Sequence, residues 1–303
     1  FPRASGGSPY PMRASRISVV VLTHQRAGEV VATVARLCAL AERPAIIVVD
    51  NASTDGTAAQ LAARFPAVTV LQAGANLGAA ARNLGVQHVL TDYVAFCDDD
   101  TWWEPGSLAR AVALLDAHPQ VGVLSARVVV GADNEIDPTC VRMRASPLES
   151  TDLPGPALIG YMAGACVFRC ALFRGVGGYE PRLFIGGEEE LVAIDVLEAG
   201  YRIVYCERMT VHHHPSPARD SGRRRRLLAR NAAYVGWLRL PWPRAARASF
   251  AALRLFAREG TLRADGLALL KGLAWAVSRR RLASARTLAM RSQVEASEQR
   301  ANR

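Results

Sequence analysis

Lysine is almost absent: of 37 basic residues only Lys271 is a lysine, and the others are arginine. Beside so much alanine, this bias is a mark of GC-rich coding and is given no functional weight. Cysteine is sparse. The six (Cys38, Cys97, Cys140, Cys166, Cys170, Cys206) are scattered, mostly inside apolar runs, with no CxxC pair. That excludes a disulfide framework and suits reduced core thiols in a cytosolic protein. No stretch reaches 18 consecutive apolar residues, so no segment is expected to span a membrane. Residues 1–15 are rich in Pro, Gly and Ser, lack an apolar signal-like run, and read as a flexible leader. No internal repeat is present. With 303 residues, 50% hydrophobic and 21% charged, disorder and low-complexity architectures are excluded. A large α/β domain, alone or with an appendage, is expected.

Charge is unevenly spread. Residues 1–222 hold 18 basic and 23 acidic side chains, whereas residues 223–303 hold 19 basic and 4 acidic. The whole net charge of +10 therefore arises in the C-terminal segment, which predicts an anionic partner there.

Between these regions, apolar runs alternate with helical patterns. Continuous apolar strands are read at 17–22, 46–49, 68–71 and 93–97, with helices over 29–41, 54–65 and 77–90. Unbroken apolar strands separated by helices indicate a parallel sheet covered on both faces. Such sheets bind ligands at the carboxyl ends of their strands. Thr23 to Arg26, Asp50 with Asn51, and Asp98 to Asp100 are therefore expected to converge on one crevice. Strands over 121–130, 165–169 and 202–206 follow, with a loop-like stretch to Pro156 and a helix over 188–198. From 227 onward the pattern is helical and amphipathic, interrupted at Pro241, Trp242 and Pro243.

Three consecutive carboxylates, Asp98, Asp99 and Asp100, repel one another unless a cation or a helix dipole offsets them. Carboxylate oxygens are hard ligands suited to Mg²⁺ or Mn²⁺ completed by substrate phosphates. The alternative is an acidic helix cap ahead of Glu104 and Pro105. Placement after a strand that points at the crevice favours the metal. Asp50 closes a buried strand, where its carboxylate is set to accept from a base N–H; Ser53 to Gly56 are accounted for by turn chemistry.

The pieces Ser18-Val-Val-Val-Leu-Thr-His-Gln-Arg26, Val48-Val-Asp50-Asn-Ala-Ser-Thr-Asp-Gly-Thr57, Asn76-Leu-Gly-Ala-Ala-Ala-Arg-Asn83 and the aspartate triplet occur in order. Together they resemble family 2 glycosyltransferases of GT-A fold over about residues 16–215. The resemblance implies a nucleotide-sugar donor, a divalent metal and an inverting transfer. It places Thr23 and Arg26 beside the nucleotide, Asp50 on the base, and Arg82 along the donor site. Asp98 and Asp100 become the outer members of a DxD-type motif, Asp100 the direct metal ligand, with Asp99 beside the donor.

A sugar nucleotide leaves as a diphosphate, and a bridging metal neutralises the developing charge. The acceptor hydroxyl needs a carboxylate base. Phe184-Ile-Gly-Gly-Glu188-Glu189-Glu190 offers candidates, although glutamates opening a helix are also explained by the macrodipole. The family has an acidic pair here whose second member is the base. Counting back from Gly200 and Tyr201 aligns that pair with Glu188 and Glu189, making Glu189 the base. The chain departs from many relatives in having Leu191 where a further acid stands. Of His212, His213 and His214, successive side chains of a strand alternate faces, so at most one meets a metal. Relatives have a histidine near the metal, and His213 fits by its distance to Ser216. Trp102 and Trp103 either fill the core or stack on a sugar; Trp103 is assigned to the acceptor side. Gly164 lies in a small-residue segment that in the family adjoins the donor sugar, and Glu190 is placed with these acceptor-side residues.

The expected architecture is α/β: a GT-A domain over 16–222, a Rossmann-like mostly parallel sheet flanked by helices, and a basic helical appendage over 223–303. The arginines at 223–226 and 279–281 flank helices with Leu, Phe and Trp at helical spacing, which suits an anionic membrane surface on the cytoplasmic side. Packing on the catalytic domain with a solvated arginine face, or a homodimer contact, would also account for them. Nucleic-acid binding is disfavoured because it leaves both acidic clusters unexplained. A phospho-receiver fails for want of a lysine after a late strand. The sugar, the choice among UDP, TDP and GDP, and the hydroxyl acceptor are not specified.

Overall fold

The computed structural model describes residues 15–215 and 221–301. The leader expected over 1–15 lies, apart from Ser15, outside the described residues. Strand β1 (Ile17–Thr23) runs through the sheet interior, with Val19, Val20 and Val21 fully buried. Burial on both faces is what an unbroken β-branched run demands. Parallel to it lie β2 (Ala45–Asp50) and then β3 (Thr69–Gln72) on one side, and β4 (Tyr93–Asp98) on the other. Helices α1 (Ala27–Cys38), α2 (Thr57–Arg64) and α3 (Arg82–Gln87) form the crossovers. A 3-10 turn, Gly78–Ala81, leads into α3, so the helix expected over 77–90 is split and shorter.

Past β4 the sheet becomes mixed. The chain continues through β5 (Thr101–Trp103), α4 (Ser107–Ala117), β6 (Val121–Val130), β7 (Glu135–Ile136) and α5 (Pro138–Arg144). It then forms β8 (Ala157–Leu158), β9 (Cys166–Arg169), α6 (Cys170–Gly175), α7 (Glu188–Glu198) and β10 (Arg202–His213). The order across the sheet is β3-β2-β1-β4-β9-β6-β10-β5, with β7 on β6 and β8 on β10. Strand β9 runs antiparallel to both β4 and β6, and β5 antiparallel to β10. These strands are too short for their direction to be encoded in their own apolar pattern. Strand β10 joins the apolar runs near 202–206 and 209–211 into one element, with a bulge against β6 between Cys206 and Thr210. Helix α5 occupies part of the stretch expected as loop; Asp137 caps it by accepting from the Thr139 N–H, and Pro138 opens it.

Helices α8 (Ser221–Arg239), α9 (Trp242–Arg258), α10 (Leu262–Ser278) and α11 (Ala285–Ala301) complete the chain. They enclose a second apolar cluster, including Tyr234, Leu238, Phe256 and Leu269, which also takes in Leu183, Leu191 and Ile194 from in and around α7. The helical region is thus packed against the element that carries the glutamates. Among the described residues no helix is long and apolar enough to cross a membrane.

Candidate active site

Register brings the strand ends level: Thr23 is opposite Asp50 and Leu22 opposite Asp98. The carboxyl ends of β1, β2 and β4 therefore finish on one edge. Asp50 is buried, and its Oδ1 accepts from the Ser53 N–H at 3.0 Å. Asn51, expected beside Asp50 at the crevice, braces the loop that follows. Its amide donates to Asn76 Oδ1 (2.9 Å) and the Gly78 carbonyl (3.0 Å), and its Oδ1 accepts from Leu77 N (2.8 Å). It ties the end of β2 to the segment leading to Arg82.

The three aspartates take different surroundings. Asp99 turns inward, accepting from Thr23 Oγ1 at 3.1 Å and from Arg26 Nη1 at 2.5 Å. Burial, reinforced by the Asp100 and Asp98 charges, pushes its carboxyl up to about 7 against the pull of Arg26. Thr23 and Asp99, both buried, thus sit beneath Arg26, where the sequence reading had set them against the donor. Asp100 accepts from Arg26 Nη1 at 3.1 Å, and its Oδ1 lies 3.7 Å from His213 Nε2. Burial pushes the Asp100 carboxyl up, but His213 and Arg26 outweigh it and hold it below its ordinary value. Asp98 is the most exposed of the three and pairs with Arg82. A Cβ on Gly164 would stand 2.5 Å from Asp98 Oδ2, so only glycine lets this backbone approach the carboxylate.

Arg82, itself buried, links the aspartates to α7: its guanidinium interacts with Asp98, Glu189 and Glu188. Ala79 N donates to the Phe184 carbonyl at 2.6 Å, joining the turn before Arg82 to the loop before α7. Burial, then the Glu188 charge, push Glu189 up to about 7, opposed by Arg82 and by a hydrogen bond from the Ala163 backbone. Burial also raises Glu188, which is 4% exposed and whose Oε2 has no hydrogen-bond partner among the described residues. Two guanidinium donors share that condition. Arg26 Nη2 and Arg82 Nε are buried with no acceptor among the described residues.

Two sequence assignments are corrected. Trp103 is 1% exposed and belongs to the core, so it does not line an acceptor site. Strand alternation instead leaves Trp102 at the surface, stacked on His212 at 5.4 Å with Arg36 4.0 Å from its ring. Glu190 turns away from Glu188 and Glu189 to pair with Arg291 of α11. Each helical residue is rotated about 100° from the last, so three successive glutamates cannot face one crevice. A further residue went unread. Asn231 of α8, fully buried, donates to the carbonyls of Leu183 (2.6 Å), Ile185 (3.1 Å) and Gly186 (2.6 Å), fixing the loop that opens α7.

Among the described residues no three His, Cys, Asp or Glu side chains are grouped so as to hold a metal unaided. The set lacks the closed ligand sphere of structural zinc. Asp100 and His213 fit a hard divalent cation that keeps water and substrate phosphates among its ligands.

Known proteins resemble the chain in both sequence and fold. Residues 18–177 match the sequence profile of glycosyl transferase family 2. The N-acetylglucosaminyl-diphospho-decaprenol L-rhamnosyltransferase of Mycobacterium tuberculosis (strain ATCC 25618 / H37Rv) is 28% identical over 271 residues, covering 74% of this chain and 87% of that protein. A mannosyltransferase from Pyrobaculum calidifontis, solved with GDP-Man and Mn²⁺, superposes with a TM-score of 0.57 at 22% identity, covering 90% of this chain and 91% of that one. TarS of S. aureus (residues 1–349), solved with UDP-GlcNAc, gives 0.57 at 15% identity over 86% and 90%. The profile takes in the ends of β1, β2 and β4 and more than half of the chain, and the fold is GT-A: the chain belongs to glycosyl transferase family 2 and is a glycosyltransferase.

Proposed function

We propose that the enzyme moves a sugar from a nucleoside diphosphate to a hydroxyl of a lipid-linked glycan, with inversion at the anomeric carbon and dependence on Mn²⁺ or Mg²⁺. The observation that carries this reading is the pair of buried N–H donors without acceptors, on Arg26 beside Asp99 and Asp100 and on Arg82 beside Asp98. A diphosphate supplies both acceptors, and guanidinium groups suit phosphate oxygens.

Asp100 and His213, with Asp98, would hold the cation, which when bound neutralises charge developing on the departing diphosphate. Arg26 and Arg82 bind and orient the phosphates, and Thr23 with Asp99 position Arg26 from below. The Asp50 carboxylate accepts from a base N–H. Glu189 takes the acceptor hydroxyl's proton as its oxygen attacks the anomeric carbon from the side opposite the diphosphate. The bond from that carbon to the diphosphate oxygen breaks, and its electron pair leaves with the nucleoside diphosphate. A carboxyl raised to about 7 suits this, because a base works best with a pKa near the operating pH. Glu188, whose charge raises Glu189, keeps the neighbouring carboxyl basic. Residues 16–222 carry this chemistry, with 223–303 as the helical appendage. The lipid-linked acceptor is supported by the mycobacterial relative, whose name gives a diphospho-decaprenol substrate.

Calorimetric titration of UDP, TDP and GDP, with and without Mn²⁺, tests the donor site. One nucleotide should bind in a metal-dependent way, and Asp100→Ala should abolish that dependence. A folded protein that binds no nucleotide with metal present overturns the proposal.

A further inference from the structure

Helices α9 and α10, joined by only residues 259–261, form a hairpin that packs on α8. Their core-facing residues include Ala252 and Phe256 on α9 and Leu269 and Ala276 on α10, all within 1% of complete burial. Other large apolar side chains on the same helices remain exposed. Trp242 and Phe250 are each 61% exposed and Leu270 62%, with Leu253, Leu267 and Val277 also exposed. At 3.6 residues per turn, Trp242, Leu253 and Phe250 form a stripe about 60–140° around α9 from its buried line. Val277, Leu270 and Leu267 lie about 80–160° around α10 in the same sense. Leu253 Cδ2 is 3.8 Å from where a Cβ on Gly266 would stand, so the stripes approach across the hairpin and form one apolar band.

Basic residues border it. Arg247, Arg254 and Arg258 follow the α9 stripe at about 180–220°, and Lys271 follows the α10 stripe at about 200°. All four are exposed, with no carboxylate partner among the described residues, and Arg254 stands over the Phe250 ring at 5.7 Å. The acids near them point elsewhere: Glu259 pairs with Arg225 and Arg226 of α8, and Asp265 with Arg226. The surface therefore offers aliphatic and aromatic groups bordered by positive charge, with its nearby carboxylates drawn back to α8.

We infer that this face of the α9–α10 hairpin docks on an anionic phospholipid bilayer. The apolar band enters the boundary between headgroups and acyl chains while the guanidinium groups and Lys271 meet lipid phosphates. A nucleic acid would satisfy the charges but leave the aliphatic band in water. The inference rests on none of the assignments at the catalytic crevice and holds for any acceptor.

Flotation of the full chain with phosphatidylcholine vesicles, with and without phosphatidylglycerol, tests it. Wild type should float with the anionic vesicles and much less with the neutral ones, and salt should weaken the association. Phe250→Ser/Leu270→Ser and Arg247→Gln/Arg254→Gln/Arg258→Gln should each lower vesicle affinity by about tenfold or more. These positions are exposed, so unchanged circular dichroism and nucleotide binding will show that the variants remain folded. Absence of flotation, or flotation equal in the variants, overturns the inference. So does a dimer in sedimentation that Phe250→Ser/Leu270→Ser converts to monomers, with neither form binding vesicles. Binding to random DNA without binding to vesicles overturns it as well.

Discussion

Arg26 and Arg82, which lead into α1 and open α3 at the carboxyl edge of the sheet, and Arg247, Arg254 and Arg258 in the terminal helices carry the same guanidinium group in opposite settings. The first two lie against carboxylates at strand ends, each keeping a buried donor without an acceptor among the described residues. The other three stand in solvent on a helix face. Partly desolvated charge is strong and directional, and its unsatisfied donors select a ligand by geometry; solvated charge is screened and selects only by sign. The two settings meet at α7. Its first turn faces the crevice through Glu188 and Glu189, while Asp195 and Glu190 are held by arginines of α8 and α11. The helical region is therefore both a surface and the backing of the glutamates.

The comparison breaks most visibly at Glu189. Glu189→Gln should lower kcat by about 10²- to 10⁴-fold, the range for losing a general base, while nucleotide affinity stays within about twofold. The pH profile gives an independent reading. With Glu189 raised to about 7, the base is protonated below that pH, so kcat/KM for wild type should climb as pH rises through about 7 and then level. The Gln variant should lose the climb. A variant that keeps both its rate and its rising limb would transfer the role to Glu188.

The second test separates backing from chemistry. Arg239 Nε and Nη2 donate to the two Asp195 oxygens at 2.7 and 2.8 Å, with both side chains largely buried. Arg239→Leu should destabilise the protein by about 3 kcal/mol, because it leaves the buried Asp195 carboxylate with only the exposed Arg281, 3.8 Å away. Adding Asp195→Leu should recover most of that loss, since replacing a buried pair by apolar groups is often near neutral. Denaturant unfolding of the three proteins measures this. A double variant no more stable than Arg239→Leu would mean that the pair is needed for packing and not only for charge balance.

Where each charge lies was legible only in part. The runs at 17–22, 46–49 and 93–97 identify strands because a short, nearly unbroken apolar run can be buried on both faces of a parallel sheet. Their carboxyl ends, and so the convergence of Thr23, Asp50 and Asp98, follow from parallel pairing. Beyond β4 that logic runs out. Strand β5 has three residues and β9 four, so neither shows a period, and which tryptophan of β5 faces the core depends on its register with β10, about a hundred residues away. Helical rotation spreads Glu188, Glu189 and Glu190 over different faces, but the face that meets the crevice is set by packing against α8 and α11. Asn231 carries no local signal: an asparagine inside an arginine-rich helix looks solvated until the 183–186 carbonyls are brought against it.

The smallest expected effect is at Glu190, and it sharpens the contrast within a single turn. Its partner Arg291 also bonds Glu295 at 2.9 Å, and about a quarter of the Arg291 side chain and a third of that of Glu190 are exposed. Solvent screens such a pair, so Glu190→Gln should cost no more than about 1 kcal/mol in denaturant unfolding. Because the side chain points at α11, kcat and the climb through pH 7 should both be retained. Neighbouring glutamates, one residue apart, would then differ by orders of magnitude in rate while differing little in stability. A Glu190→Gln variant that lost activity as deeply as Glu189→Gln would place Glu190 in the crevice during turnover, which requires its contact with Arg291 to open.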